Sequence, residues 1–165
     1  MTSTLSWRPT PSGQGDKLTK YVVATVDEIP PGHRKVVEIA KRSIGVFNVK
    51  GSFYAIRNQC PHGGGPMCEG VTSGLVRSDK PGNYDYIMRG EIIRCPWHGW
   101  EFEIATGQSW FDPAKTKVKA YPTGVESGDA LAQNPELSAA GFQPGPYSGE
   151  TYEVEVDRDY VVVNI

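Results

Sequence analysis

The chain has 165 residues, 17 basic and 19 acidic side chains and a net charge of −2, about one domain by length. No Lys/Arg block, no long apolar run and no apolar leader in Met1–Thr10 stand in it, so nucleic-acid binding, a membrane span and a secretory signal are not expected. Three cysteines, an odd count, argue against a disulfide framework and for a reducing, cytoplasmic compartment.

Glycine and proline number 19 and 13, which favours short elements and many turns over long helices. Residues 1–19, rich in Ser, Thr, Pro and Gly, read as a flexible tail before one domain over 20–165. Strand-type runs then follow at Tyr21–Val26, Lys35–Ile39 and Ile44–Val49. Lys50-Gly51 makes a two-residue hairpin turn into Phe53–Ile56. His33 falls in a Pro-Pro-Gly-His turn and is expected to be solvated. Residues 71–90 lack periodicity and read as an insertion in loop form. Glu91–Arg94 and Trp100–Ile104 flank a tight loop, and Lys117–Tyr121 alternates as a strand. Residues 128–150, rich in Gly, Pro and Ala, read as a second insertion, with Asn134–Ala140 as the best short helix. Tyr152–Val156 and Tyr160–Val163 read as a closing hairpin. Strands at roughly ten-residue intervals predict an all-β sandwich or barrel.

Two segments carry the chemistry. Cys60-Pro-His62 runs into Gly63-Gly64-Gly65-Pro66, and Cys95-Pro-Trp-His98 runs into Gly99-Trp100. Each pairs a thiol with an imidazole, follows a predicted strand and opens into glycine. That sets four metal-binding side chains on two loops, about 58–70 and 93–113, at one end of a β scaffold. Cysteine thiolates bind iron–sulfur clusters, and two histidines replacing two cysteines on one iron define the Rieske type. Zinc takes the same residue types, but zinc fingers group two cysteines before two histidines and this chain alternates them.

The pattern C-P-H-G-G-G-P followed by C-P-W-H-G-W-E-F resembles the Rieske [2Fe–2S] ferredoxin family over about Tyr21–Tyr121. The resemblance implies a Rieske-type β-sandwich with a small cluster-binding subdomain. It also implies one [2Fe–2S] cluster, with Cys60 and Cys95 on the inner iron and His62 and His98 on the outer iron, facing solvent. High-potential members carry a disulfide where this chain has Gly65 and Trp97, and a serine where it has Trp100. Their absence implies the low-potential, oxygenase-associated type, toward the low end of about −150 to +300 mV. Imidazoles on ferric iron become more acidic, so the potential is expected to fall with pH once their protons leave.

A Rieske oxygenase needs a second iron held by two histidines and a carboxylate. After His62 and His98, only His33 remains. The chain is therefore expected to be an electron carrier rather than an enzyme. Its expected role is a soluble carrier passing electrons from an NAD(P)H-dependent flavin reductase to a terminal oxygenase, docking at the His62/His98 edge. A small subunit stably bound to a larger oxidoreductase and a redox-sensing interaction protein stand as alternatives. Cys68 lies at the wrong offset for the high-potential disulfide and is expected to be an inert buried thiol. Trp97, Trp100 and Trp110 are read as shields or core packing, and Pro113 as a cluster-covering proline or an ordinary turn.

Overall fold

The computed structural model describes residues 19–110, 114–128 and 158–165. Among these residues ten strands form: β1 (Lys20–Thr25), β2 (Arg34–Ile39), β3 (Arg42–Val49), β4 (Ser52–Arg57), β5 (Val71–Lys80), β6 (Asn83–Arg94), β7 (Glu101–Glu103), β8 (Ala120–Tyr121), β9 (Thr123–Ser127) and β10 (Asp159–Asn164). Short 3-10 turns at Val26–Glu28 and Met67–Glu69 interrupt them. No helix among the described residues is long and apolar enough to cross a membrane.

The strands make three antiparallel sheets, ordered β1-β10-β9, β2-β3-β4-β8 and β5-β6-β7. The four-stranded sheet lies between the other two, and its side chains alternate between two cores. Ile44, Val46, Ala55 and Tyr121 pack with Ala24, Val161 and Val163 of the β1-β10-β9 sheet. Phe47 and Ile56 face the other way, onto Ile93, Phe102, Cys60, Cys68 and Cys95. A sheet buried on both faces needs near-continuous apolar strands, and β3 is buried from Ile44 through Asn48. The one polar residue in that stretch, Asn48, donates to the Ile29 carbonyl at 2.7 Å and accepts the Gly51 N–H at 2.8 Å, so it is satisfied.

The Lys50-Gly51 turn forms as expected, with both residues at positive φ (54° and 94°) and flanking residues Val49 and Ser52 paired. That is the geometry that matches strand twist. Ala40-Lys41 joins β2 to β3 in the same way, at φ 48° and 61°, without any glycine.

Two expectations need correction. The 71–90 segment is not a loop: β5 and β6 form a long antiparallel hairpin turning at Pro81-Gly82, where Gly82 has φ 84°. Proline followed by a positive-φ glycine is a type II turn signal. Beyond a bulge, at which pairing advances two residues on β5 (Ser73 to Leu75) and five on β6 (Ile92 to Ile87), the outer hairpin is largely exposed. A strand exposed on both sides has no inside–outside alternation to read. In the 117–121 run, only Ala120–Tyr121 pairs as a strand, while Lys117 makes a single bridge to Gln108. β10 sits between β1 and β9, and Tyr152–Val156, the expected first strand of the closing hairpin, falls outside the described residues. Asn134–Ala140, Pro113, and almost all of the tail and the second insertion also lie outside them. Thr19 itself is tied to Ile165 by two backbone hydrogen bonds of 2.7 and 3.0 Å.

Candidate metal centre

Strand β4 delivers the first ligand loop and β6 the second. Both close in the same hydrogen-bonded ring. The Cys60 carbonyl accepts the Gly64 N–H at 2.8 Å, and the Cys60 N–H donates to the Gly65 carbonyl at 2.8 Å. In the second loop the Cys95 carbonyl accepts the Gly99 N–H at 2.9 Å, and the Cys95 N–H donates to the Trp100 carbonyl at 2.8 Å. The fourth residue after each cysteine has positive φ, 78° at Gly64 and 71° at Gly99, a conformation glycine adopts without cost. The two loops are thus structural twins, with histidine two residues after the cysteine in one and three in the other.

Residues outside the motif hold the loops together. Asn58 accepts the Cys68 N–H at 2.7 Å and donates to Ser43 Oγ at 3.2 Å, fixing the first loop to β3. Gly70 brings the returning chain against the second loop: a Cβ there would lie 1.8 Å from the Arg94 carbonyl oxygen, one residue before Cys95. Sequence reading missed both, because a lone Asn and a lone Gly carry no spacing signal.

The four donors divide by burial. Cys60 and Cys95 are 2% and 3% exposed and belong to the core. His62 and His98 are exposed, with ring centroids 4.9 Å apart, edge to face. Burial pushes the Cys60 thiol up from the ordinary cysteine range, N–H groups of His62 and Gly63 aimed at its sulfur pull it down, and the neighbouring Cys95 thiol raises it. The Trp100 ring lies 4.5 Å from that of His62, tilted by 30°. Trp97, 59% exposed, stands edge-on to His98 at 6.5 Å.

This arrangement fits a dinuclear cluster. Two thiols stand together inside and two imidazoles together outside, a pair for each iron. Among the described residues no three His, Cys, Asp or Glu side chains converge as a single-ion site would need. The first loop packs tightly against the second at Gly65 and makes ordinary contact with it at Gly63. A Cβ at Gly65 would sit 2.9 Å from the Trp97 ring and 3.3 Å from Cys95 Sγ, and one at Gly63 would sit 3.4 Å from the His98 ring. Trp97 and Gly65 therefore face each other across the loops.

The remaining candidates stand apart. His33 sits in its turn, its N–H donating to the Pro30 carbonyl at 3.0 Å. Cys68 is 1% exposed and has no disulfide partner. It packs against Gly45, where a Cβ would lie 2.3 Å from its sulfur. Trp110 is exposed.

Comparison with known proteins agrees with this geometry. The Rieske [2Fe-2S] domain family matches residues 19–122. The biphenyl dioxygenase ferredoxin subunit of Pseudomonas sp. strain KKS102 is 32% identical over 69% of this chain and 91% of its own length. The 3-phenylpropionate/cinnamic acid dioxygenase ferredoxin subunit of Escherichia coli strain K12 is 29% identical over 72% and 97%. Among solved structures, the Sphingomonas yanoikuyae B1 ferredoxin superposes with a TM-score of 0.50, at 30% identity over 67% of this chain and 93% of that one. The ferredoxin of carbazole 1,9a-dioxygenase from Nocardioides aromaticivorans IC177 does so with a TM-score of 0.51, at 27% identity over 66% and 90%. The relatives are ferredoxins, electron-transfer components rather than the catalytic enzymes of their systems. The chain thus belongs to the Rieske [2Fe–2S] domain family, as an electron carrier with one cluster.

Proposed function

We propose that Cys60 and Cys95 hold the inner iron and His62 and His98 the outer iron, and that electrons pass through the His62/His98 edge. The observation that carries this reading is the burial split: both thiols lie in the core and both imidazoles face solvent. The bound cluster supplies one-electron redox chemistry. The chain's own residues do the rest. The buried thiols set a dry inner end, where burial pushes the Cys60 thiol up, and N–H groups of His62 and Gly63 aimed at its sulfur offset part of that rise. Trp100 and His98 pack against the His62 ring and limit its rotation. The exposed imidazole edges leave a short path to a docked partner.

The partners we infer are an NAD(P)H-dependent flavin reductase as donor and a terminal oxygenase as acceptor. The support is chemical and comparative: the relatives are ferredoxin subunits of biphenyl and phenylpropionate dioxygenases, and a carrier of this kind needs one partner on each side. We place the protein in the cytoplasm, a reading supported by its low and odd cysteine count of three. The test is reconstitution: the cluster-loaded chain should be reduced by such a reductase and should restore turnover of a ferredoxin-dependent dioxygenase. Reduction without delivery to any oxygenase would remove the acceptor from the proposal.

A stably bound subunit is the second reading. Val76, Tyr84 and Tyr86 are exposed on the outer β5–β6 hairpin, and a permanent partner would cover such an apolar face. A chain purified from its native source as a monomer would exclude it.

A further inference from the structure

Away from the metal centre, a cleft of about 710 Å³ lies where the four-stranded sheet meets the β1-β10-β9 sheet. Arg42, Arg57 and Lys119 line it, with Tyr21 and Tyr121 as walls and Asn164 as a further polar group. Strand register places the three cations together. Arg57 lies opposite Ile44 on β3, and Arg42, two residues earlier on that strand, falls on the same face. On its other side the Arg57 N–H donates to the Lys119 carbonyl at 2.8 Å, next to the Ala55–Tyr121 pair. All three cations thus project from the face that carries Ala55 and Tyr121.

Three like charges therefore share one face of the cleft. Neighbouring cations on one sheet face repel one another, and the chain as a whole is slightly acidic. Arg42, Arg57 and Lys119 have no carboxylate partner among the described residues, and no Asp or Glu is among the described lining residues. Lys119 instead places its ammonium 5.9 Å from the centre of the Tyr121 ring. At the rim, the Ile165 carbonyl oxygen is held by the Thr19 N–H at 2.7 Å. A carboxylate there would offset only one of the three charges.

We propose that this cleft binds a multivalent oxyanion, the phosphate or pyrophosphate group of a small molecule. Two guanidiniums offer forked donors that match phosphate oxygens, and the ammonium adds a point charge. The volume exceeds what a phosphate fills and falls in the range of small-molecule sites. The tyrosine walls leave room for a flat group attached to the phosphate. The site is separate from the ligand loops and does not depend on the electron-transfer reading.

The experiment is calorimetric titration of the cluster-loaded full chain with inorganic phosphate, pyrophosphate and ADP at fixed ionic strength, with benzoate as a monovalent control. Pyrophosphate or ADP should bind one to one, more tightly than benzoate, and Arg57→Gln and Arg42→Gln should each weaken binding at least fivefold. ADP tighter than pyrophosphate would identify a nucleotide-type ligand using the tyrosine walls; the reverse would identify a free oxyanion. Thermal unfolding supplies a second readout, independent of affinity. Without anion, Arg57→Gln should melt no lower than wild type, since it relieves repulsion; with pyrophosphate, wild type should gain stability and the variant should not. Lys119→Gln, at an exposed position, serves if an arginine variant fails to fold. No binding into the millimolar range, or affinities unchanged in the variants, would overturn the proposal.

Discussion

Cys68 and Gly45 show how much of the site's support rests on single atoms. The thiol is buried against a glycine that has no room for a methyl group, and burial pushes its pKa from the ordinary 9.0 up to about 12. Gly45→Ala should therefore destabilise the fold by about 1–3 kcal/mol through overpacking, and Cys68→Ala should restore much of the loss in the double variant. Urea unfolding of the four-member cycle measures this coupling; additive losses would show that the two do not share space. The same thiol gives a pH dependence. Between pH 9 and 12 the unfolded chain has released a proton that the folded chain keeps, so the Cys68 contribution is constant below about pH 9 and declines as pH rises above it. Cys68→Ser should retain the cluster, and a lost cluster in that variant would make Cys68 part of the metal centre. The motif residues were legible because thiol and imidazole at close spacing have few other uses. Asn58, Gly45 and Gly70 were not, since their roles exist only once distant strands meet.

At the scale of elements, turn chemistry was read well where it had a familiar form and missed where it did not. Lys50-Gly51 announces its turn. Ala40-Lys41 adopts the same left-handed pair without glycine, and non-glycine residues there cost about 1–2 kcal/mol each. Lys41→Gly should raise stability by about 0.5 kcal/mol once the extra chain entropy of glycine is set against the relieved strain, seen as a higher urea midpoint at unchanged slope. The β5–β6 hairpin carried a clear turn signal at Pro81-Gly82, but its outer strands are exposed on both faces and show no alternation. Its inner part depends on Gly74, where a Cβ would meet the Ile87 carbonyl oxygen at 2.4 Å and the Tyr86 ring at 2.9 Å. Gly74→Ala should open the hairpin there, visible as faster amide exchange over Leu75–Ile87. Unchanged exchange would mean the strands can part locally without losing their pairing.

Across the whole molecule, a central sheet with a core on each face separates two tasks. One core closes the β1-β10-β9 sheet; the other wraps Cys60 and Cys95 and leaves His62 and His98 outside. The all-β architecture followed from strand spacing and turn residues. The place of β10 between β1 and β9 did not, because long-range pairing leaves no trace in a local pattern. The central claim is that these four side chains hold the cluster, two in the core and two at its exposed edge. The most direct measurement is iron and acid-labile sulfide per chain, with an EPR spectrum of the reduced protein, for wild type and His98→Ala. Two irons, two sulfides and a Rieske-type signal in wild type, with that signal lost in a His98→Ala protein that keeps its β circular dichroism, is the predicted result. An unchanged Rieske spectrum in His98→Ala, or zinc in place of iron in the wild type, would contradict it.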